Sequence, residues 1–108
     1  MHIVYFCTTP TAELLVQLEI SILLCKKGAP DSQIHLYTDD ESVGQNWPII
    51  QHNLTPEQLA QWQGPQGFFW RIKMQVLADI CALYPNEAIL YLDADTLALD
   101  LEGLQAQL

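Results

Sequence analysis

Positive charge is scarce in this chain. Among 108 residues, Lys and Arg number 4 against 13 Asp and Glu, a formal net charge of −9. Nothing offsets repulsion from phosphates, which excludes a general nucleic-acid binder and a protein held to anionic membranes by charge. Cysteine is sparse too. Cys7, Cys25 and Cys81 are odd in number, widely spaced, set among apolar neighbours and without a CxxC. They read as reduced, mostly buried thiols rather than a disulfide frame or a zinc site. No apolar run reaches the ~18–20 residues that span a bilayer. The opening Met1-His2-Ile3-Val4 lacks the basic stretch of a signal peptide, so the formal glycosylation acceptor Asn53-Leu54-Thr55 carries no weight. Repeats, low-complexity tracts and interdomain linkers are missing as well. One acidic, soluble, cytoplasmic domain over residues 1–108 is the expectation.

What is present is a core in alternating pieces. Half the residues are hydrophobic and 16% are charged, a balance that folds. Ile3 to Cys7 has strand length and reads as buried on both faces. Thr9 before Pro10 predicts an N-cap with proline in the first turn, and Thr11 is the alternative cap. A helix follows from Ala12 to Lys27, with Leu14, Leu15, Leu18, Ile22 and Cys25 on one face and Lys26-Lys27-Gly28 closing it. Val16, Ile20, Leu23 and Leu24 make its other faces apolar too, so it calls for cover on two sides.

Gln33 to Thr38 is a second strand, ending at Asp39-Asp40-Glu41; Ser42 to Pro48 is a loop and Ile49 to Leu54 a short third strand. Thr55 caps a brief helix through Trp62. Gln63-Gly64-Pro65-Gln66-Gly67 breaks the chain before a helix from Phe68 to Leu83, whose Phe69, Ile72, Val76, Ile80 and Leu83 line one face. Ala88 to Leu92 is a further buried strand. Leu97 to Leu99 resumes extended structure and Asp100 to Leu108 forms a last helix. Helix-sized spacers between buried strands predict an α/β fold, a Rossmann-like and mainly parallel sheet with flanking helices.

In such folds ligands bind beyond the carboxyl ends of the strands. Three of those ends are polar here: Cys7-Thr8-Thr9, Thr38-Asp39-Asp40 and Asp93-Ala94-Asp95-Thr96. Polar residues also mark ordinary loop starts, so the coincidence needs a second signal. Asp93 and Asp95, two apart after a hydrophobic strand, can aim both carboxylates at one point. Such a pair repels itself unless a cation lies between, and hard oxygen ligands suit Mg²⁺ or Mn²⁺ completed by phosphate oxygens and water. The bland reading is a solvated acidic turn.

The basic residues sharpen this. Lys26 and Lys27 are accounted for by their helix end. Arg71 and Lys73 sit in the first turns of theirs, where the dipole disfavours cations. Asp93 and Asp95, or the phosphates of a ligand, would justify them; the alternative is a surface pair whose stems cover apolar neighbours. Trp47, Trp62 and Trp70 read as packing, although Trp70 beside Arg71 has a route to the ligand crevice. His2, His35 and His52 lack ligand spacing and read as structural.

The run Arg71-Ile72-Lys73-Met74-Gln75-Val76-Leu77, then Tyr84-Pro85, then Ile89-Leu90-Tyr91-Leu92-Asp93-Ala94-Asp95-Thr96 resembles nucleotide-sugar glycosyltransferases of the GT-A fold, nearest the family-8-like, galactosyltransferase or glycogenin-type group. Asp100-Leu101-Glu102-Gly103-Leu104 fits the acidic-hydrophobic piece that follows the D-x-D segment there. Residues 68–104 are the diagnostic part; the rest is compatible. The resemblance implies that Asp93 and Asp95 hold Mn²⁺ (or Mg²⁺) against the nucleotide diphosphate of a UDP-sugar. It implies that Arg71 and Lys73 lie near the nucleotide-sugar, that Cys7, Thr8 and Thr9 contact the nucleoside, and that Asp39 lines the same crevice. In that family the metal neutralises the leaving diphosphate as hexosyl transfer passes through an oxocarbenium-like state.

Family members continue well past the D-x-D segment, into the third metal ligand, the acceptor pocket and the catalytic face. The resemblance therefore implies the nucleotide-binding half of a GT-A fold, truncated relative to the family, with no catalytic residue of its own and no substantial transfer by this polypeptide as given. Faces that a second half would cover predict a homodimer or larger. Two rival readings stand beside this one. A non-catalytic oligomeric interaction module would keep the fold alone. A haloacid-dehalogenase-type phosphatase also uses D-x-D, but needs Thr or Val four residues after the first Asp, where this chain has Leu97.

Overall fold

In the computed structural model the described residues are 1–8, 11–64 and 69–93, with backbone alone for Phe69 and Trp70. Four strands and three helices alternate: β1 (His2–Cys7), α1 (Ala12–Gly28), β2 (Gln33–Thr38), β3 (Ile50–Asn53), α2 (Pro56–Gln63), α3 (Phe69–Leu83) and β4 (Ile89–Asp93). The strands form one sheet in the order β3-β2-β1-β4, and every pairing is parallel. The chain thus steps outward from β1 through β2 to β3, then crosses back to the far side of β1. This is an α/β, Rossmann-like sheet with a switch point between β1 and β4.

The two crossovers use opposite faces. Ile3, Tyr5, Cys7, Ile34 and Leu36 point to one face, where Leu18, Ile22 and Cys25 of α1 close over them. Val4, Phe6 and Tyr37 point to the other, where Ile72, Val76 and Ile80 of α3 cover them. β1 is buried along its whole length, because it has strands on both sides and helices on both faces. β4 was expected to be equally buried. It is half-buried, lying at one end of the four-strand order, and Asp93 is exposed.

Local chemistry sets the helix ends. Thr11 is the cap of α1, its Oγ1 accepting from Leu14 N–H at 3.1 Å, and Thr55 caps α2 by the same bond to Gln58. The cap expected first, Thr9 with Pro10, lies outside the described residues. α1 runs one residue further than predicted, taking in Gly28, with the Ala29 N–H closing on the Cys25 carbonyl. In α3 the predicted face holds at Ile72, Val76 and Ile80, but Leu83 is exposed in the last turn; the Phe69 side chain is outside the described set. Cys7 and Cys25 are buried free thiols while Cys81 is exposed, so burial covers two of the three cysteines. The extended segment predicted at Leu97–Leu99 and the helix predicted at Asp100–Leu108 also lie outside the described residues.

The three histidines are linked. His2 Nδ1 lies 3.0 Å from His35 Nε2, and His35 Nδ1 lies 2.9 Å from His52 Nε2, a diagonal across β1, β2 and β3 on the α3 side. His2 Nε2 meets the Glu87 carboxylate at 3.0 Å. One assignment satisfies every contact: each ring carries its proton on Nε2 and donates toward Glu87. Tyr84 stacks on His2 at 3.8 Å and Tyr37 on His52 at 4.3 Å, and the Tyr37 hydroxyl donates to Asp79 on α3. No buried side-chain nitrogen or oxygen among the described residues lacks a partner. No described helix is long and apolar enough to cross a membrane.

Candidate functional site

Parallel pairing brings the carboxyl ends of β1, β2 and β4 to the same end of the sheet. Cys7 pairs with Thr38, and Phe6 pairs with Asp93. Thr8, Asp39 and Asp93, predicted from three separate parts of the sequence, therefore leave the sheet on one side. Thr8 and Asp39 line a cleft of about 310 Å³, at the small end of the range for ligand sites. Its other wall is Pro56, Leu59 and Gln63 from α2 with Ile72 from α3. The cleft is thus floored by polar strand ends and walled by the apolar Pro56, Leu59 and Ile72 together with the amide of Gln63.

Cys7 is buried at the end of β1 and does not line the cleft. Burial, and then the negative charge of Asp39, push its thiol above the usual range. It stays protonated at neutral pH and is no nucleophile. Asp40, next to Asp39, is committed elsewhere: its Oδ1 accepts from the Ser42 N–H at 3.0 Å and the Ser42 hydroxyl at 2.6 Å, and these bonds hold its carboxyl below the usual range. A larger cleft, about 380 Å³, lies between Leu15 and Glu19 of α1 and the loop carrying Asp40, Ser42, Gly44 and Trp47. None of the predicted site residues lines it.

The two basic residues at the start of α3 each have an intramolecular neighbour. Lys73 Nζ donates to Asp93 Oδ1 at 2.9 Å, with both side chains partly exposed, and lies 5.9 Å from the centre of the Tyr91 ring. This is one of the two partners the sequence offered for Lys73. Burial, with the Asp93 charge, pushes the Tyr91 hydroxyl up to about 12. Arg71 was expected among anionic groups, and its guanidinium packs against Gly64, the C-cap of α2. A Cβ added to Gly64 would lie 2.8 Å from Arg71 Nη1, and the glycine holds φ +76°, a conformation costly for other residues. α2 has no basic residue in its own last turn. Arg71 supplies the cation for the negative end of that dipole, which the sequence did not reveal because Gly64 and Arg71 belong to different helices.

Of the expected metal ligands, Asp93 is exposed at the end of β4, and Asp95 lies outside the described residues, as does Thr9. Among the described residues no three His, Cys, Asp or Glu side chains form a group able to hold a metal ion. Asp93 is the single described carboxylate of the pair, and its partner oxygen on Lys73's side is already engaged. Gln63, Pro56 and Leu59 are cleft residues that sequence reasoning missed. Their signal in the sequence is the position of α2 directly before the helix bearing Arg71.

No protein-family model matches the chain, and no curated protein or solved structure matches it either.

Proposed function

We propose that this chain is the donor-binding portion of a metal-dependent GT-A-type glycosyltransferase, with a UDP-sugar as its ligand. The observation that carries the reading is the convergence of Thr8, Asp39 and Asp93 at one end of a parallel sheet, with Lys73 bonded to Asp93 beside the β1/β4 switch point. A nucleoside would lie in the cleft floored by Thr8 and Asp39. Its diphosphate would extend toward Asp93 and Lys73, where the partly exposed Lys73 ammonium would turn from carboxylate to phosphate. Asp93 and Asp95 would hold Mn²⁺ or Mg²⁺, with diphosphate oxygens completing the shell, and the ion would supply charge neutralisation for the leaving diphosphate. This chain's own residues bind and orient the donor; Cys7, as a protonated buried thiol, is a packing residue under the cleft.

A second reading has an observation of its own. Both Lys73 and Arg71 already have neighbours within the protein, so neither needs an anionic ligand to account for it, as in a non-catalytic interaction module. Calorimetric titration of UDP, with and without Mn²⁺, separates the two, repeated on Asp93→Asn/Asp95→Asn. Binding that needs both the metal and the aspartates supports the donor-site reading. Absence of binding in every condition overturns it and leaves the interaction module.

A further inference from the structure

We propose that the outward face of α1 is a self-association surface, on which a second copy of the chain packs its own α1 antiparallel about a two-fold axis at Ile20. Three large apolar side chains stand in solvent on this helix: Val16 at 57%, Ile20 at 45% and Leu23 at 55% exposure. The helix does not need them for its own domain, since Leu18, Ser21, Ile22 and Cys25 on the opposite side make the contact with the sheet. Glu13 and Lys27, also exposed, extend the row at its two ends. The positions 13, 16, 20, 23 and 27 alternate in steps of three and four, the seam period of packed helix pairs. The row runs about 21 Å along the helix.

The charges at its ends say what covers it. Glu13 lies in the first turn and Lys27 in the last, each seven residues from Ile20. A parallel mate would set acid on acid and base on base. An antiparallel mate centred on Ile20 sets Glu13 against the partner's Lys27 twice over, with Val16 and Leu23 filling the space between. Such self-complementarity is what an isologous dimer requires. A lipid surface fits poorly: an interfacial helix carries Lys and Arg along its polar flank, whereas Glu19 borders this row and the chain as a whole carries −9. Lys26 is outside the surface, its ammonium donating to the Ser32 carbonyl at 2.8 Å. The face lies on the other side of the sheet from the cleft, so the inference is independent of the nucleotide reading.

One helix pair is a small interface, and like net charges oppose it, so the dimer is weak, with a Kd on the order of 100 µM. Sedimentation velocity of the whole chain from about 10 to about 500 µM at near-physiological salt reads it directly. The expected result is a monomer–dimer transition that Ile20→Glu shifts at least about tenfold toward monomer, with unchanged far-UV circular dichroism. Should that variant lose its helix signal, Leu23→Gln gives the same readout with a milder change. Glu13→Lys weakens the dimer and Glu13→Lys/Lys27→Glu restores it. The double variant puts both charges at the wrong ends of their own helix, so its recovery comes from the contact between copies. A monomer across the range, or a dimer indifferent to both Ile20→Glu and Leu23→Gln, overturns the proposal. A double variant no stronger than the single overturns the antiparallel arrangement.

Discussion

The two faces of the sheet are built from different materials. Under α1 the core is aliphatic, with Ile3, Leu18, Ile22, Ile34 and Leu36 at its centre. Its buried polar atoms close on one another: the Tyr5 hydroxyl meets Ser21 Oγ at 2.5 Å and Cys25 Sγ at 3.3 Å, and burial holds that phenol above its usual range. Under α3 the aliphatic part, Val4, Ile72, Val76 and Ile80, shares the face with His2, His35, His52, Tyr37 and Tyr84. The first face is held by burial and shape, and burial of hydrocarbon is indifferent to protons. The second is held by burial and by a hydrogen-bond chain that exists in one protonation state. The same sheet therefore has a pH-blind side and a pH-sensitive side.

The largest effect expected is on the first. Leu18 is fully buried against the sheet, and Leu18→Ala removes its methyl groups and leaves a cavity, at a cost of about 2–5 kcal/mol. Urea denaturation measures it. The loss should be the same at pH 7.5 and pH 5.5, and a pH-dependent loss would break the contrast between the faces.

The next effect belongs to the second face. His35 is buried between His2 and His52, with Glu87, Tyr84, Tyr37 and Asp79 around the array. Burial first, then the two neighbouring rings, lower it from 6.5 to about 4, and burial lowers His52 as well, against the pull of Asp79. The folded state therefore keeps the ring neutral where the unfolded chain takes up a proton. Stability is full above pH 6.5, falls as pH drops from 6.5 toward 4, and His35 contributes nothing further below that. Its share is about 3 kcal/mol at roughly 1.4 kcal/mol per unit. Denaturation midpoints across pH 7.5 to 4 should show this slope, and His35→Gln, though less stable at pH 7.5, should flatten it. An unchanged slope in the variant would remove His35 from the account.

These two faces were unequally legible. The α1 side was visible because Leu14, Leu18, Ile22 and Cys25 recur at helical spacing, and strand runs such as Ile3–Cys7 can only be core. The mainly parallel sheet was legible from the helix-sized spacers; the parallel β2–β3 pair, joined without a helix, was not. The histidine chain was hidden, since His2, His35 and His52 come together only through register: β1 against β2, then β2 against β3. A strand buried on both faces shows no alternation to flag a polar position. At the site, the strand-end clusters and the Lys73–Asp93 pairing were within reach, because strand ends in parallel sheets share a side. Arg71 against Gly64 was not, because a turn-forming glycine is silent about what packs on it.

The smallest effect on stability separates folding from function most cleanly. Lys73 and Asp93 are joined at 2.9 Å, but their side chains are 36% and 55% exposed, and an ion pair that open to water contributes about 0–1 kcal/mol before further screening. Lys73→Met keeps the stem that packs near Tyr91 and removes the charge, so the denaturation midpoint should move little on either face and at either pH. UDP binding in the presence of Mn²⁺ should nonetheless weaken at least about tenfold, the loss of one charge-assisted contact to phosphate. The two readouts diverge only if the ammonium serves a ligand. Equal binding by Lys73→Met and the parent chain would make the pair a surface contact of the fold, and the carboxyl end of the sheet would then resemble the α1 face: well packed, with no call on a ligand's charge.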